Sequence, residues 1–314
     1  MTIQNESETI FIGDRLRKDD PLGDPITKEG RMNPSLSNLF NYQEIEAHLL
    51  MRSKSMRITL KSEYLNKQML FELESLFNWL SSHPEINAVI MQNSQEYFCH
   101  GFDSQELLHM NDQQHYDVIL RVQKLAKGMF YLPQTIIVDL GQGASSMGAE
   151  LSCGADFRIA RKGPKISFCS ITNGRVNSSG GIGLLELIVN ANYSRQWNLM
   201  DGPICSEQLY ASGFIAHFYS DADGILSKML KKISAQSPLA RIQTKRSLME
   251  NIRYQLENLK EREFSFASSA LGQRDWQEAI IAKSENRQAN FVSVKEVSEA
   301  LQENKREFKQ RLQA

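Results

Sequence analysis

Two short stretches of the chain hold residue types whose order suits chemistry. The first is Tyr97-Phe98-Cys99-His100-Gly101-Phe102-Asp103, which follows an apolar run and sets a glycine between aromatics and an acid. Glycine permits backbone angles that turn an N–H group outward. The second, residues 141–156 (GQGASSMGAELSCGAD), is a loop of glycines and serines running into a helical pattern near Met147. The first N–H groups of a helix have no partner inside it and carry partial positive charge. A strand, a small-residue loop and a helix start therefore make a place for negative charge. A lone loop of this kind is equally well explained as a plain turn, so the weight falls on finding two.

Other chemistries lack their residues. No Walker loop, HExxH, GxSxG or zinc-ligand spacing occurs, so no metal is expected. Gly141 and Gly143 lack the third glycine and the acidic partner of a dinucleotide fingerprint. The histidines (His48, His83, His100, His109, His115 and His217) are scattered. Cys99, Cys153, Cys169 and Cys205 form no CxxC pair, which fits free thiols in a reducing, cytoplasmic setting.

The elements that must position these stretches read as an α/β pattern. Residues 44–51 and 56–60 are expected as short strands, 65–82 as an amphipathic helix, and 87–91 as a buried strand. The helix has Leu65, Met69, Leu73, Leu76, Phe77 and Leu80 on one face and stops before His83-Pro84. A helix over about 114–131 ends at Pro133, and 135–140 forms the next buried strand, feeding the glycine–serine loop. Short strands follow at 156–160 and 165–168, and from Ile182 the pattern is mostly helical. Four parts are expected: an irregular arm over 1–42, a core over 43–194, a helical region over 195–291, and a charged helix over 292–314. That last helix opens with a Ser293–Glu296 capping box and carries Val294, Leu301 and Phe308 on a narrow stripe.

Composition limits the classes of partner. The 314 residues include 41% hydrophobic and 23% charged side chains with a formal charge of −1. That balance argues against nucleic acid or an anionic membrane as the main partner. No run of about 18 apolar residues is present to span a bilayer. The opening residues hold no continuous apolar stretch of the secretory type.

Taken together the motifs resemble the crotonase (enoyl-CoA hydratase/isomerase) family over about 44–291. Phe98–Asp103 is similar to that family's first loop. Ser146–Leu151 with Ala155-Asp156 is similar to its second. Gly174–Gly181 occupies the place of its Gly-x-x-Pro-x-x-Gly-Gly segment, Gly202–Ile215 follows its later Ala…Gly-Leu-Val pattern, and Asn290-Phe291 resembles its closing region. The resemblance implies a spiral of ββα units with a helical C-terminal trimerisation region, assembled as a homotrimer or a hexamer made of two trimers. It implies an oxyanion hole for a thioester, with the backbone N–H groups of His100 and Met147 as donors. Glu150 matches the first of two family glutamates; Ser170 stands where the second is expected, 20 residues later, and no Asp or Glu occurs in 157–186. Cys99, Gly101, Asp103, Gly148, Leu65 and Gly174 are implied as substrate-binding positions. Lys61 and Lys67 flank a Tyr64-Leu65-Asn66 turn similar to the family's adenine-side turn, whereas Gln105 replaces a lysine common there. The implied substrate is an acyl-CoA or an acyl-carrier-protein thioester, with no cofactor. Three outcomes stay open: a hydratase- or isomerase-like enzyme using Glu150 alone, a thioester decarboxylase or isomerase acting on a carrier-protein substrate, or a non-catalytic acyl-CoA or partner binder.

Overall fold

The structure is a computed structural model that describes residues 41–292. The arm expected over 1–42 falls outside it except for its last two residues, and so does the charged helix with Ser293, Val294, Leu301 and Phe308. The chain opens with two antiparallel strands, β1 (Ile45–Leu50) and β2 (Ser55–Leu60). Helix α1 (Lys67–Ser81) follows, and β3 (Ala88–Asn93) returns parallel to β2. Next come α2 (Ser104–Leu108), α3 (Asp112–Tyr131), β4 (Thr135–Asp139), β5 (Gly143–Ser145), α4 (Met147–Ser152), β6 (Phe157–Arg161) and β7 (Lys165–Ser167). The remainder is α5 (Gly183–Ile188), α6 (Ala191–Leu199), α7 (Ser206–Ala211), β8 (His217–Tyr219), α8 (Ala222–Ser234), α9 (Pro238–Glu250), α10 (Arg253–Glu257), α11 (Leu259–Gly272) and α12 (Asp275–Ser284).

The main sheet has the order β1-β2-β3-β4-β6-β8, and β5 pairs with β7 in a separate two-stranded sheet. Alternation along each strand sends side chains to two cores. Val89, Met91, Ile136, Val138 and Ala160 join the larger core with α1, α3 and the C-terminal helices. Ala88, Ile90, Ile137 and Ile159 face the other way, onto Leu226, Met229, Leu230 and Ile233 of α8. Those four residues recur at helical spacing, so one stripe of α8 covers that face of the sheet.

Local signals account for the elements that lead to the two loops. Asn66 starts α1 by accepting the Met69 N–H at 2.7 Å, and Met69, Leu70, Leu73, Leu76, Phe77 and Leu80 are its buried face. A side chain at the residue before the first turn that satisfies an orphan N–H is worth about 1 kcal/mol. Glu72, buried on the same helix, accepts the N–H groups of Gln43, Glu44 and Ile45 at 2.7, 2.8 and 3.0 Å, which fixes the entry to β1.

Among the described residues the expected strands and long helices occur, with ends shifted by one or two residues. The 43–194/195–291 division does not follow the sheet: β8, inside the region read as helical, pairs in parallel with β6 as its last strand. Of the aromatics in the helical half, Trp197, Phe214 and Trp276 are buried, whereas Phe266 is exposed. No helix among the described residues is long and apolar enough to cross a membrane, and all four cysteines are free.

Candidate active site

The two loops read from the sequence lie against each other. Cys99 and Ala144 bridge in parallel. Phe98 N–H donates to the Gly143 carbonyl at 2.9 Å, and Ser145 N–H donates to the Cys99 carbonyl at 2.9 Å. Gly148 meets the Cys99 carbonyl so closely that a Cβ at that position would overlap it and stand 2.6 Å from the Cys99 side chain. Gly101 (φ +99°) turns the first loop against the second: a Cβ there would lie 3.2 Å from Ser146 Cβ and 3.3 Å from Met147 N. Positive φ is a region that glycine enters without steric penalty.

This interlock decides which N–H groups are free. His100, expected as an oxyanion donor, gives its N–H to the Glu63 carbonyl at 2.6 Å, so that donor is taken. Leu65 bridges Phe102 in parallel: its N–H donates to the Gly101 carbonyl at 2.8 Å and its carbonyl accepts the Asp103 N–H at 2.9 Å. In that pattern the N–H of Phe102 itself points away from Leu65, and it has no hydrogen-bond partner among the described residues. Met147, first residue of α4, likewise has an N–H without a partner there. The pair of unpartnered donors at Gly101 is therefore Phe102 and Met147, not His100 and Met147.

Glu150 sits one turn further along α4, buried, with its N–H on the Ser146 carbonyl. Its Oε2 accepts from Ser179 N–H at 2.7 Å and Gly181 N–H at 3.1 Å. Burial is the main cause that pushes its pKa from 4.5 to about 8, and nearby Glu263 adds to the rise. The two N–H bonds and Arg175 oppose it. A buried carboxyl held near neutral pH is suited to both giving and taking a proton.

Glu263 went unnoticed in the sequence, because no motif marks it. Helix α11 brings it to the same loop from some 80 positions further along the chain. It accepts from Gln123 Nε2 at 2.7 Å, Gly180 N–H at 3.0 Å and Gly183 N–H at 2.8 Å. The two buried glutamates thus grip the 179–183 turn between them. Arg175 also has no sequence signal beyond its place in the Gly174–Gly181 segment. It donates from Nη2 to Ser146 Oγ at 3.2 Å, while its Nη1 is shut off from solvent without a partner among the described residues. His115 of α3 is buried edge-on against Trp276, with neither ring nitrogen bonded among the described residues, and burial lowers its pKa to about 4.

The remaining expected residues fall as follows. Ser170 is buried, its carbonyl accepting from Asn173 and Arg175 N–H groups, and no hydrogen bond or charge interaction joins it to Glu150. Cys99 is buried, and burial raises its thiol to about 12, so it lines the interlock as an unreactive group. Asp103 caps α2 by accepting from Gln105 and Glu106 N–H groups at 2.8 and 2.9 Å. Gly174 (φ +63°) packs against the start of α12, where a Cβ would stand 2.6 Å from the Asp275 carbonyl oxygen. Leu65 pairs with the first loop, and Gly101 and Gly148 let the two loops touch. Lys67 opens α1 and lines a surface pocket of about 460 Å³ with Lys124 and the ion-paired Arg121 and Glu74.

Comparison with known proteins places this geometry. Residues 56–294 match the family described as Enoyl-CoA hydratase/isomerase. A Bacillus subtilis (strain 168) protein, YngF, whose name assigns it to the enoyl-CoA hydratases/isomerases, is 21% identical over 233 residues, covering 73% of this chain and 90% of its own. An enoyl-CoA hydratase structure from Mycobacterium avium subsp. paratuberculosis K-10 superposes with a TM-score of 0.71 at 17% identity, over 80% of this chain and 99% of that one. An enoyl-CoA hydratase/isomerase from Pseudoalteromonas atlantica T6c gives 0.70 at 17% identity, over 80% and 100%. At these identities the structural likeness speaks for the fold, which is the α/β crotonase fold expected from the sequence.

Proposed function

The chain belongs to the enoyl-CoA hydratase/isomerase family, and from that premise we propose that it moves a proton along the acyl chain of a CoA thioester with Glu150 as the single acid–base group. The reaction is a double-bond shift from a 3-enoyl to a conjugated 2-enoyl thioester. Glu150 as carboxylate takes the proton from the carbon next to the thioester carbonyl. Charge moves onto the carbonyl oxygen, which the Phe102 and Met147 N–H groups receive. Glu150 then returns the proton two carbons further along. Fixed donors aimed at a developing oxyanion contribute roughly 3–4 kcal/mol each in a dry site.

The observation that carries this reading is the pair of unpartnered N–H groups at Gly101 beside one buried carboxyl raised to about 8. Isomerisation is favoured over hydration because hydration needs a second group to handle water. Ser170 makes no hydrogen bond to Glu150, an arginine keeps its proton, and Glu263 is held by Gln123, Gly180 and Gly183. One observation favours a binding-only chain instead: Glu150 Oε2 already holds the 179–181 turn through two N–H bonds.

The test is to mix the protein with trans-3-hexenoyl-CoA and follow the absorbance of the conjugated thioester. Conjugation is expected in the wild type and falls roughly 10²–10⁴-fold in Glu150→Gln. Absence of conjugation with 3-enoyl thioesters of several lengths, together with retained acyl-CoA binding, selects the binding-only reading.

A further inference from the structure

A second set of reactive groups lies on the same two loops. Cys99 and Ala144 bridge each other and point into the core. Their neighbours His100 and Ser145 point the opposite way, and both are half-buried. His100 Nδ1 is 3.1 Å from Ser145 Oγ. Across the ring, His100 Nε2 is 3.9 Å from Glu63 Oε2. Glu63 is itself fixed, since its Oε1 accepts the Tyr97 N–H at 2.8 Å and its carbonyl accepts the His100 N–H. Tyr64 and Tyr97 brace the imidazole, with ring centroids 5.7 and 4.8 Å away.

The chemistry of this row is directional. A carboxylate facing Nε2 favours the tautomer with the proton there, which leaves the Nδ1 lone pair for the Ser145 hydroxyl. Burial lowers the His100 pKa below 6.5, against the pull of Glu63, so the ring is neutral near pH 7 and able to take a proton. The separation from Glu63 exceeds a hydrogen bond, as such contacts often do before substrate binds. Ser145 and His100 each stand two residues before one of the unpartnered donors, Met147 and Phe102. Gly101, between His100 and Phe102, lies so close to the second loop that a Cβ on it would stand 3.3 Å from Met147 N, so the row and the two donors occur where the loops meet.

We propose that Ser145, His100 and Glu63 form a nucleophile, base and orienting acid that hydrolyse acyl thioesters, using the Phe102 and Met147 N–H groups as the oxyanion hole. The inference rests on the acyl-thioester reading above and adds a second reaction to it. Ser145 Oγ bonds to the thioester carbonyl carbon while its proton passes to His100 Nδ1. The carbon–sulfur bond then breaks, its electron pair leaves on sulfur, and His100 gives sulfur the proton. Water attacks the resulting Ser145 ester, its proton passes to His100, and the ester bond breaks to free the acid and restore the serine. The sum is thioester plus water giving carboxylic acid plus thiol. Glu63 touches no reacting atom and is a positioning residue.

Butyryl-CoA isolates this reaction, because a saturated chain has no double bond to shift or hydrate. With the full chain, thiol release is expected from the wild type and falls roughly 10²–10⁴-fold in Ser145→Ala and in His100→Gln. A fluorophosphonate probe on the folded wild type, mapped by mass spectrometry, should modify Ser145, and this result does not depend on any variant folding. Thiol release that survives Ser145→Ala overturns the proposal, as does an absence of both release and label. Conjugation of a 3-enoyl thioester is read separately by absorbance. Its failure while Ser145-dependent thiol release persists overturns the isomerase reading alone.

Discussion

Glu150 has almost no solvent, and one of its oxygens is tied to two amides, so it keeps its proton to about pH 8. As a base it works only when ionised. Proton abstraction should therefore rise about tenfold per pH unit and level off above about 8, which a pH–rate profile measures. Arg175 lowers this pKa, so Arg175→Met is predicted to move the limb to higher pH while Ser170→Ala leaves it in place. The same shift is a statement about stability. The folded pKa lies above the ordinary 4.5, so between 4.5 and about 8 the unfolded chain has lost a proton that the folded chain retains. Stability attributable to this group falls as pH rises through that window, by roughly 1.4 kcal/mol per unit. Glu150→Gln should flatten that slope in melting temperatures measured against pH. At this scale the sequence exposed Glu150 and the Met147 N–H because both belong to a local motif. It misassigned the partner donor, because whether His100 or Phe102 has a free N–H depends on where Glu63 and Leu65 pass. Glu263, Arg175 and His115 meet Glu150's surroundings only through tertiary packing, and no spacing in the chain announces that.

The two loops act as one element because small residues let their backbones touch. Gly148→Ala places a methyl on the Cys99 carbonyl. The carbonyl cannot step aside, since it also accepts the Ser145 N–H. The loops must separate, at a cost of about 1–3 kcal/mol, and the Phe102 and Met147 donors move apart. The expected result is a lower melting temperature together with a loss in kcat larger than the change in KM. An active Gly148→Ala enzyme with unchanged kcat would show that the interlock does not set the donor pair. Long elements were legible from periodicity: α1 and α3 carry buried stripes, and β3 and β4 are continuous apolar runs. The five-residue helix α2 and the three-residue strands β5 and β8 were not, since so few residues make no period. Missing β8 is what misplaced the boundary at 195, for it closes the sheet from within a helical stretch.

For the whole molecule, the expectation carried by the family is a trimer or two trimers stacked as a hexamer. Leu199, Met200 and Tyr210 on α6, α7 and their junction are 70%, 71% and 64% exposed, a level of apolar exposure that assembly would relieve. Light scattering on the full chain should give the mass of three or six subunits, and Met200→Asp should lower it; a monomer at micromolar concentration contradicts the expectation. The near-neutral net charge conceals a local arrangement, in which Lys67 and Lys124 share a surface pocket. Isomerisation by Glu150 begins at one carbon, and exchange of the protons on that carbon reports it. With trans-3-hexenoyl-CoA in D2O, mass spectrometry should find deuterium entering beside the thioester carbonyl in the wild type and not in Glu150→Gln. No exchange in the wild type, or equal exchange in both proteins, would contradict the assignment of Glu150 as the base.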